Sequence, residues 1–182
     1  MATTIFLVRH GETDWNRDRR IQGHSDVPLN ENGRTQARAL SERLERERFD
    51  AVYSSDLARA RETAQIAVAP TSLPLIELVE LREKHFGSWE GLTSDVVLAR
   101  FPEASTGPWG DGETSDEMSA RVVAALRGIA AEHDGGNVLV VTHGGPVRAA
   151  LRAAGSEPAG SIENCHVTRI EVGVNGGLRR ID

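Results

Sequence analysis

Cysteine is scarce and long apolar runs are missing. The single Cys165 in 182 residues excludes an intramolecular disulfide, and with it a disulfide-framed scaffold. No apolar stretch approaches the ~20 residues of a membrane span. The first residues carry no basic segment followed by an apolar signal core, so a cytosolic (cytoplasmic) address is the expectation. Lysine and arginine total 21 against 27 acidic residues, a formal charge of −6. That balance argues against general nucleic-acid or anionic-membrane binding. It leaves an anionic substrate open, because the field inside a cleft is local. His24, His85, His133 and His166 show no zinc spacing, no paired-carboxylate cluster suggests a two-metal centre, and no Walker-type loop occurs. Neither a metal nor a cofactor is expected. No repeat, low-complexity tract or linker divides the chain, so residues 1–182 read as one domain.

Strand and helix signals alternate along the sequence. Short apolar runs at residues 4–8, 51–54, 75–78 and 138–141 read as strands, with another from Ile162 and a last one after Asn175-Gly176-Gly177. Between them, Asn30 caps a helix whose inner face is Gly33, Ala37, Leu40 and Leu44. Further helices are expected over 57–67, in a short piece ending near Phe101, over 115–133 behind a Thr114/Glu117 capping box, and from Pro146 to Ala153. The continuous apolar run Val138–Val141 suits a strand covered on both faces. The expected fold is α/β, a three-layer α/β/α sandwich with a mostly parallel central sheet and an antiparallel edge strand. Cys165 falls in an expected strand as a small core hydrophobe. The Glu-Arg run at 42–48 is a solvated helix face. Residues 11–29 form a loop too long for a plain connection, which marks it as functional or disordered.

The first strand ends abruptly at Arg9-His10-Gly11. Burying a cation and an imidazole without partners is costly, so packing gives no reason for this ending. Chemistry does, because ligands of open α/β sheets bind beyond the carboxyl ends of the strands. There an arginine can hold a dianion while a neighbouring histidine attacks it. Imidazole is partly neutral near pH 7 and needs no separate base to act on phosphorus. Gly11 would let the backbone approach the site closely. The pattern recurs at Val138–Val141, Thr142, His143 and Gly144, where a starting helix adds backbone N–H groups and a dipole favouring anions. Arg59 follows the strand at 51–54, but spacing alone does not separate a second clamp from an exposed arginine. A carboxyl group to protonate a leaving alkoxide and later activate water could come from Glu83 or Glu90.

Arg9-His10-Gly11 resembles the phosphohistidine signature of the histidine phosphatase superfamily, in its phosphoglycerate mutase-like branch. Three further segments match that family in order: Ser54-Ser55-Asp56-Leu57-Ala58-Arg59-Ala60, Leu81 to Gly91 around Glu83 and Trp89, and Thr142-His143-Gly144. The resemblance spans nearly the whole chain. It implies His10 as nucleophile, Arg9 and Arg59 as phosphate clamps, Glu83 as proton donor with Glu90 anchoring a loop, and His143 as a donor to the transferring phosphoryl group. It also implies a phosphate contact at Asn16, and substrate-lining roles for Gln22 and Gly144. Arg17, Arg19 and Arg20 read as a solvated loop face, with steering of anions as the alternative. Trp15, Trp89 and Trp109 either line a pocket for an aromatic or sugar-like leaving group or pack in the core.

The implied activity is metal-independent hydrolysis of a phosphomonoester, on a small phosphorylated metabolite, through a phosphohistidine. The alternatives are a cofactor-dependent phosphoglycerate mutase and a non-catalytic phospho-ligand binding module. Only 60 positions separate Glu83 from His143, leaving little room for the insertions such mutases carry. The segment Asn164 to Thr168 also looks more like the small phosphatases, and the layout is similar to α-ribazole phosphatases. Oligomeric state is open, a homodimer included.

Overall fold

A computed structural model describes residues 1–105, 109–158 and 160–182. Six strands form one sheet: β1 Thr3–Arg9, β2 Ala51–Ser54, β3 Leu75–Glu77, β4 Asn137–Thr142, β5 Val167–Val172 and β6 Leu178–Arg180. Their spatial order is β3-β2-β4-β1-β5-β6. The first four run parallel, β5 lies antiparallel to β1, and β6 pairs antiparallel with β5 at the edge. The expected sandwich is therefore present, because alternation along the strands sends side chains to two covered faces. Ile5, Leu7, Val138, Val140 and Ile170 pack under helices α5 (Ser115–Glu132) and α6 (Gly144–Ala153). Phe6, Val8, Val52, Leu139 and Val141 pack under α2 (Glu31–Leu44) and α3 (Ala58–Ala67). Helix α1 is Asp14–Arg17 and α4 is Ser94–Arg100.

Helix boundaries follow local chemistry. Asn30 caps α2 by accepting from the Gly33 N–H, and Gly33, Ala37, Leu40 and Leu44 are its buried face. Thr114 and Glu117 form the expected reciprocal cap on α5. The sheet also aligns the ends that carry chemistry. Arg9 pairs with Thr142, and Ser54 pairs with Val141. The residues that follow β1, β4 and β2 thus emerge side by side on one rim.

Three expectations need correction. The stretch 11–29 is not a plain loop: Thr13 and Asn16 cap each other and start α1. Bridges Thr13–Leu29 and Arg20–Thr93 then tie the segment down. A second small core of Trp89, Val97 and Ala104, with Ile21, Phe86, Leu92 and Phe101 against it, holds the same segment from the other side. Strand β5 starts at Val167, not at Ile162, and Cys165 lies before it with φ of +55°. The Cys165 N–H donates to the Arg9 carbonyl and its own carbonyl accepts from Arg43, bonds that hold this left-handed conformation. Its buried thiol is pushed up to about 11 by burial, as suits a packing residue. Gly11 does allow a close approach, but to a helix: a Cβ there would stand 2.6 Å from the Gly33 carbonyl oxygen.

Candidate active site

A pocket of about 240 Å³ opens beyond the carboxyl ends of β1, β4 and β2. Arg9, His10, Asn16, Gln22, Arg59, Glu83 and Gly144 all contribute to its wall. His143 lies behind them, fully buried, with its ring centroid 5.1 Å from that of His10. All eight residues expected at the site are thereby brought together. Their contacts show how each is held.

His10 follows β1, and its N–H donates to the Thr142 carbonyl at 2.9 Å. The Asn164 amide donates to the His10 carbonyl at 2.9 Å, fixing the backbone from the other side. The ring Nδ1 lies 2.6 Å from the Gly11 carbonyl. A carbonyl only accepts, so Nδ1 carries the proton and Nε2 of the neutral ring keeps its lone pair. Burial holds the His10 imidazole well below its ordinary value, and the charges of Arg59 and Arg9 add to the effect. His143 is lowered in the same way, by burial first and then by Arg59, His10 and Arg9. It is also the N-cap residue of α6, although its side chain makes no capping bond.

The two arginines are buried cations with one edge anchored. Arg59 donates from Nη1 to the Ser25 carbonyl at 2.8 Å and from Nη2 to the Gly23 carbonyl at 2.7 Å. Arg9 donates to the Ile162 carbonyl. Burial pulls Arg59 down to about 10, with Glu83 opposing the fall, and lowers Arg9 against the same opposing carboxylate. Both keep a buried Nε without a partner, and both ring nitrogens of His143 are also unpartnered. Ser54 Oγ is the fifth and last such buried side-chain atom among the described residues. Four of the five therefore belong to site residues: the Nε donors of Arg9 and Arg59, and the two nitrogens of the neutral His143 ring, one of which is a donor.

Glu83 reaches the rim from the segment after β3. Its Oε2 accepts from the Gly145 N–H at 3.0 Å and its Oε1 from the Lys84 N–H at 2.9 Å. Gly145 is needed there, since a Cβ would lie 2.1 Å from Glu83 Oε1. The Glu83 carbonyl is tied to Arg121 Nη2 at 2.8 Å and to the His24 ring at 2.9 Å. Glu90 anchors a loop, as expected. Its Oε1 accepts from the His24 and Phe86 N–H groups, and its Oε2 from the Ser25 N–H and hydroxyl, at 2.7–3.1 Å. The same loop supplies the two carbonyls that hold Arg59. Asn16 Oδ1 accepts from Thr13 N–H and Oγ1 at 3.2 Å, and Gln22 Oε1 accepts from Thr13 Oγ1 at 2.9 Å.

Several residues of the pocket were not assigned from sequence. Arg148, Phe86, Ser161 and Ile162 face the pocket, and Asn164 braces it from behind through the His10 carbonyl. Arg20 joins them, unlike Arg17, which pairs with Asp14 and Asp18 at the surface. The signal for Arg148 was available: it stands one helical turn after Gly144-Gly145 on α6. Of the tryptophans, Trp89 packs against Phe101 at 5.2 Å and belongs to the small core. Trp109, 39% exposed, faces a neighbouring hollow. No group of three or more His, Cys, Asp or Glu able to hold a metal ion occurs among the described residues.

Fold and site together define a doubly wound α/β protein whose strand ends present a pocket lined by two buried arginines and a histidine, with a second buried histidine behind it. The chain belongs to the histidine phosphatase superfamily (branch 1), whose family model matches residues 5–179. A metal-independent phosphoserine phosphatase of Arabidopsis thaliana is 42% identical over 94% of this chain and 77% of its own length. A phosphoglycerate mutase-like protein 4 of the same plant is 43% identical over 82% of this chain and 70% of its own. Among solved structures, Bacillus stearothermophilus YhfR superposes with a TM-score of 0.88 at 35% identity, covering 98% of this chain and 95% of that one.

Proposed function

We propose that this protein hydrolyses phosphomonoesters of small metabolites through a phosphohistidine on His10. The carrying observation is the convergence of unpartnered buried donors from Arg9, Arg59 and His143 around the neutral His10 ring. The phosphoryl oxygens of a substrate dianion take these donors. Nε2 of His10 then attacks phosphorus, the P–O ester bond breaks, and Glu83 gives its proton to the departing alkoxide oxygen. In the second half Glu83, now a carboxylate, takes a proton from water as that water attacks the phosphohistidine. Inorganic phosphate leaves and His10 is restored. Fixed cations supply the charge stabilisation, a contribution worth roughly 3–4 kcal/mol for a single preorganised donor. Asn16, Gln22 and Gly144 shape the phosphate end of the pocket in this reading. Residues 1–182 act as one domain, and the protein works in the cytosol. Among the described residues no helix is long and apolar enough to cross a membrane.

Phosphate release from p-nitrophenyl phosphate and a panel of metabolite esters, with a chelator present, tests the reading. Wild type turns over, and His10→Asn loses at least about a thousandfold. Equal rates for the two proteins would remove His10 from the mechanism. The mutase-like relative gives a second reading a specific footing. Interconversion of 2- and 3-phosphoglycerate outpacing phosphate release would favour it.

A further inference from the structure

Next to the phosphate pocket lies a second hollow of about 550 Å³. The two share Glu83, Phe86, Gly145 and Arg148 in their walls, so they adjoin beside Glu83. Beyond that junction Lys84, Trp109 and Arg152 continue the wall. Among the described residues Glu83 is the one acidic residue in this lining, against three cations.

Helix α6 organises these charges. Gly145, Arg148 and Arg152 are three and four residues apart and share one face. Gly145 holds the Glu83 carboxylate at 3.0 Å, which fixes where the leaving oxygen must sit. From there Arg148 lies about 4.5 Å further along the helix axis, and Arg152 about 6 Å beyond that. Arg148 is half-buried and makes no hydrogen bond or ion pair among the described residues. Such a guanidinium is not a folding element, since a half-buried charge without a partner contributes no stability. Arg152 has only a solvent-exposed contact with Glu157 at 3.4 Å, of the kind that contributes little. The Lys84 ammonium, by contrast, is engaged by the Trp109 carbonyl and the Phe86 ring. The free charge in the hollow is therefore concentrated on α6.

We propose that this hollow is the leaving-group subsite, and that Arg148 selects esters whose alcohol carries a second anionic group. That group is a carboxylate or a further phosphate, placed on the Arg148 side of the ester oxygen. Longer leaving groups extend along α6 to Arg152. The inference rests on the phosphatase reading but concerns a different group of atoms. His10, Arg9, Arg59 and His143 handle the transferring phosphoryl group, whereas Arg148 handles the part that departs.

The test compares esters matched except for the second charge: O-phosphoserine with O-phosphoethanolamine, 3-phosphoglycerate with glycerol 1-phosphate, and propane-1,3-diol bisphosphate with its monophosphate. Wild type should favour the doubly anionic member of at least one pair by on the order of 10- to 100-fold in kcat/KM. Which pair responds distinguishes carboxylate from phosphate. In Arg148→Gln that ratio should collapse to within about threefold, chiefly through KM of the anionic ester. Arg148→Lys should retain part of it, since the charge stays and the planar fork is lost. An absent preference in wild type, or one that survives in Arg148→Gln, overturns the inference. Should Arg148→Gln fail to fold, an unchanged preference in Arg148→Lys together with Arg152→Gln overturns it equally. In each of these results the wild-type protein hydrolyses p-nitrophenyl phosphate. If wild type hydrolyses no ester at all, the phosphatase reading falls and the inference goes with it.

Discussion

Two neutral histidines buried beside two arginines make the stability of the free enzyme sensitive to acid. In the unfolded chain each imidazole titrates near its ordinary value of about 6.5. In the folded chain both are held well below it, by burial first and by Arg59 second. Below pH 6.5 the unfolded state therefore binds protons that the folded state refuses. Stability is full above that pH and declines as pH falls towards the folded values. Between pH 7.5 and 5.5 each histidine costs at most a little over ~1 kcal/mol, and the pair at most about 3 kcal/mol. Carboxylates elsewhere add their own pH dependence, so the informative quantity is a difference. Urea unfolding of wild type and of the double variant His10→Asn/His143→Asn at pH 7.5 and 5.5 isolates it. Wild type should lose about 2–3 kcal/mol more than the variant over that interval. Equal losses would show that the rings take up protons in the folded state. The neutral, nucleophilic form of His10 would then have no structural basis.

Two further outcomes follow from the contacts around the pocket. Glu83→Gln keeps an oxygen for the Gly145 N–H but has no proton to give, so alkyl esters should slow by roughly 100- to 10,000-fold. The nitrophenyl ester should slow far less, and equal slowing across leaving groups would assign the acid role elsewhere. Glu90→Gln turns one of two acceptors towards backbone donors of His24, Ser25 or Phe86, which should cost about 1–3 kcal/mol in thermal or urea unfolding. Because that loop holds Arg59 through the Gly23 and Ser25 carbonyls, inhibition by inorganic phosphate should weaken as well. Unchanged phosphate affinity would separate Glu90 from Arg59.

Local pattern carried the strands, helix α2 and its cap, and the residues at the rim. His10 and His143 stand out because each interrupts an apolar run with a group the core does not want. The parts that were not legible depend on long-range contacts. Cys165 looks like strand sequence, yet its φ of +55° is held by bonds to Arg9 and Arg43 from distant elements. The short helix ending near Phe101 was expected, but the small core it joins was not, because its packing partner Ile21 lies far away in the chain. Asn164 meets the His10 carbonyl only once the chain before β5 is placed, and no local spacing separates it from a surface residue. For the opposite reason the reciprocal Thr13–Asn16 cap was readable in principle. A helix of one turn leaves too little periodicity to be noticed.

The pairing of Arg9 with Thr142 has a consequence for how such a site can change. The two histidines are the next residues on adjacent parallel strands, and their rings stand 5.1 Å apart. That distance is close to the ~4.8 Å interval between neighbouring strands. The separation of nucleophile and charge stabiliser is thus dictated by backbone hydrogen bonding in the centre of the sheet. No loop has to maintain it. Loops and the outer turns of α6 can then be rebuilt for a new leaving group without retuning the reacting atoms. A slip of one residue between β1 and β4, however small in energy elsewhere, would swing one ring to the opposite face and end the chemistry at once.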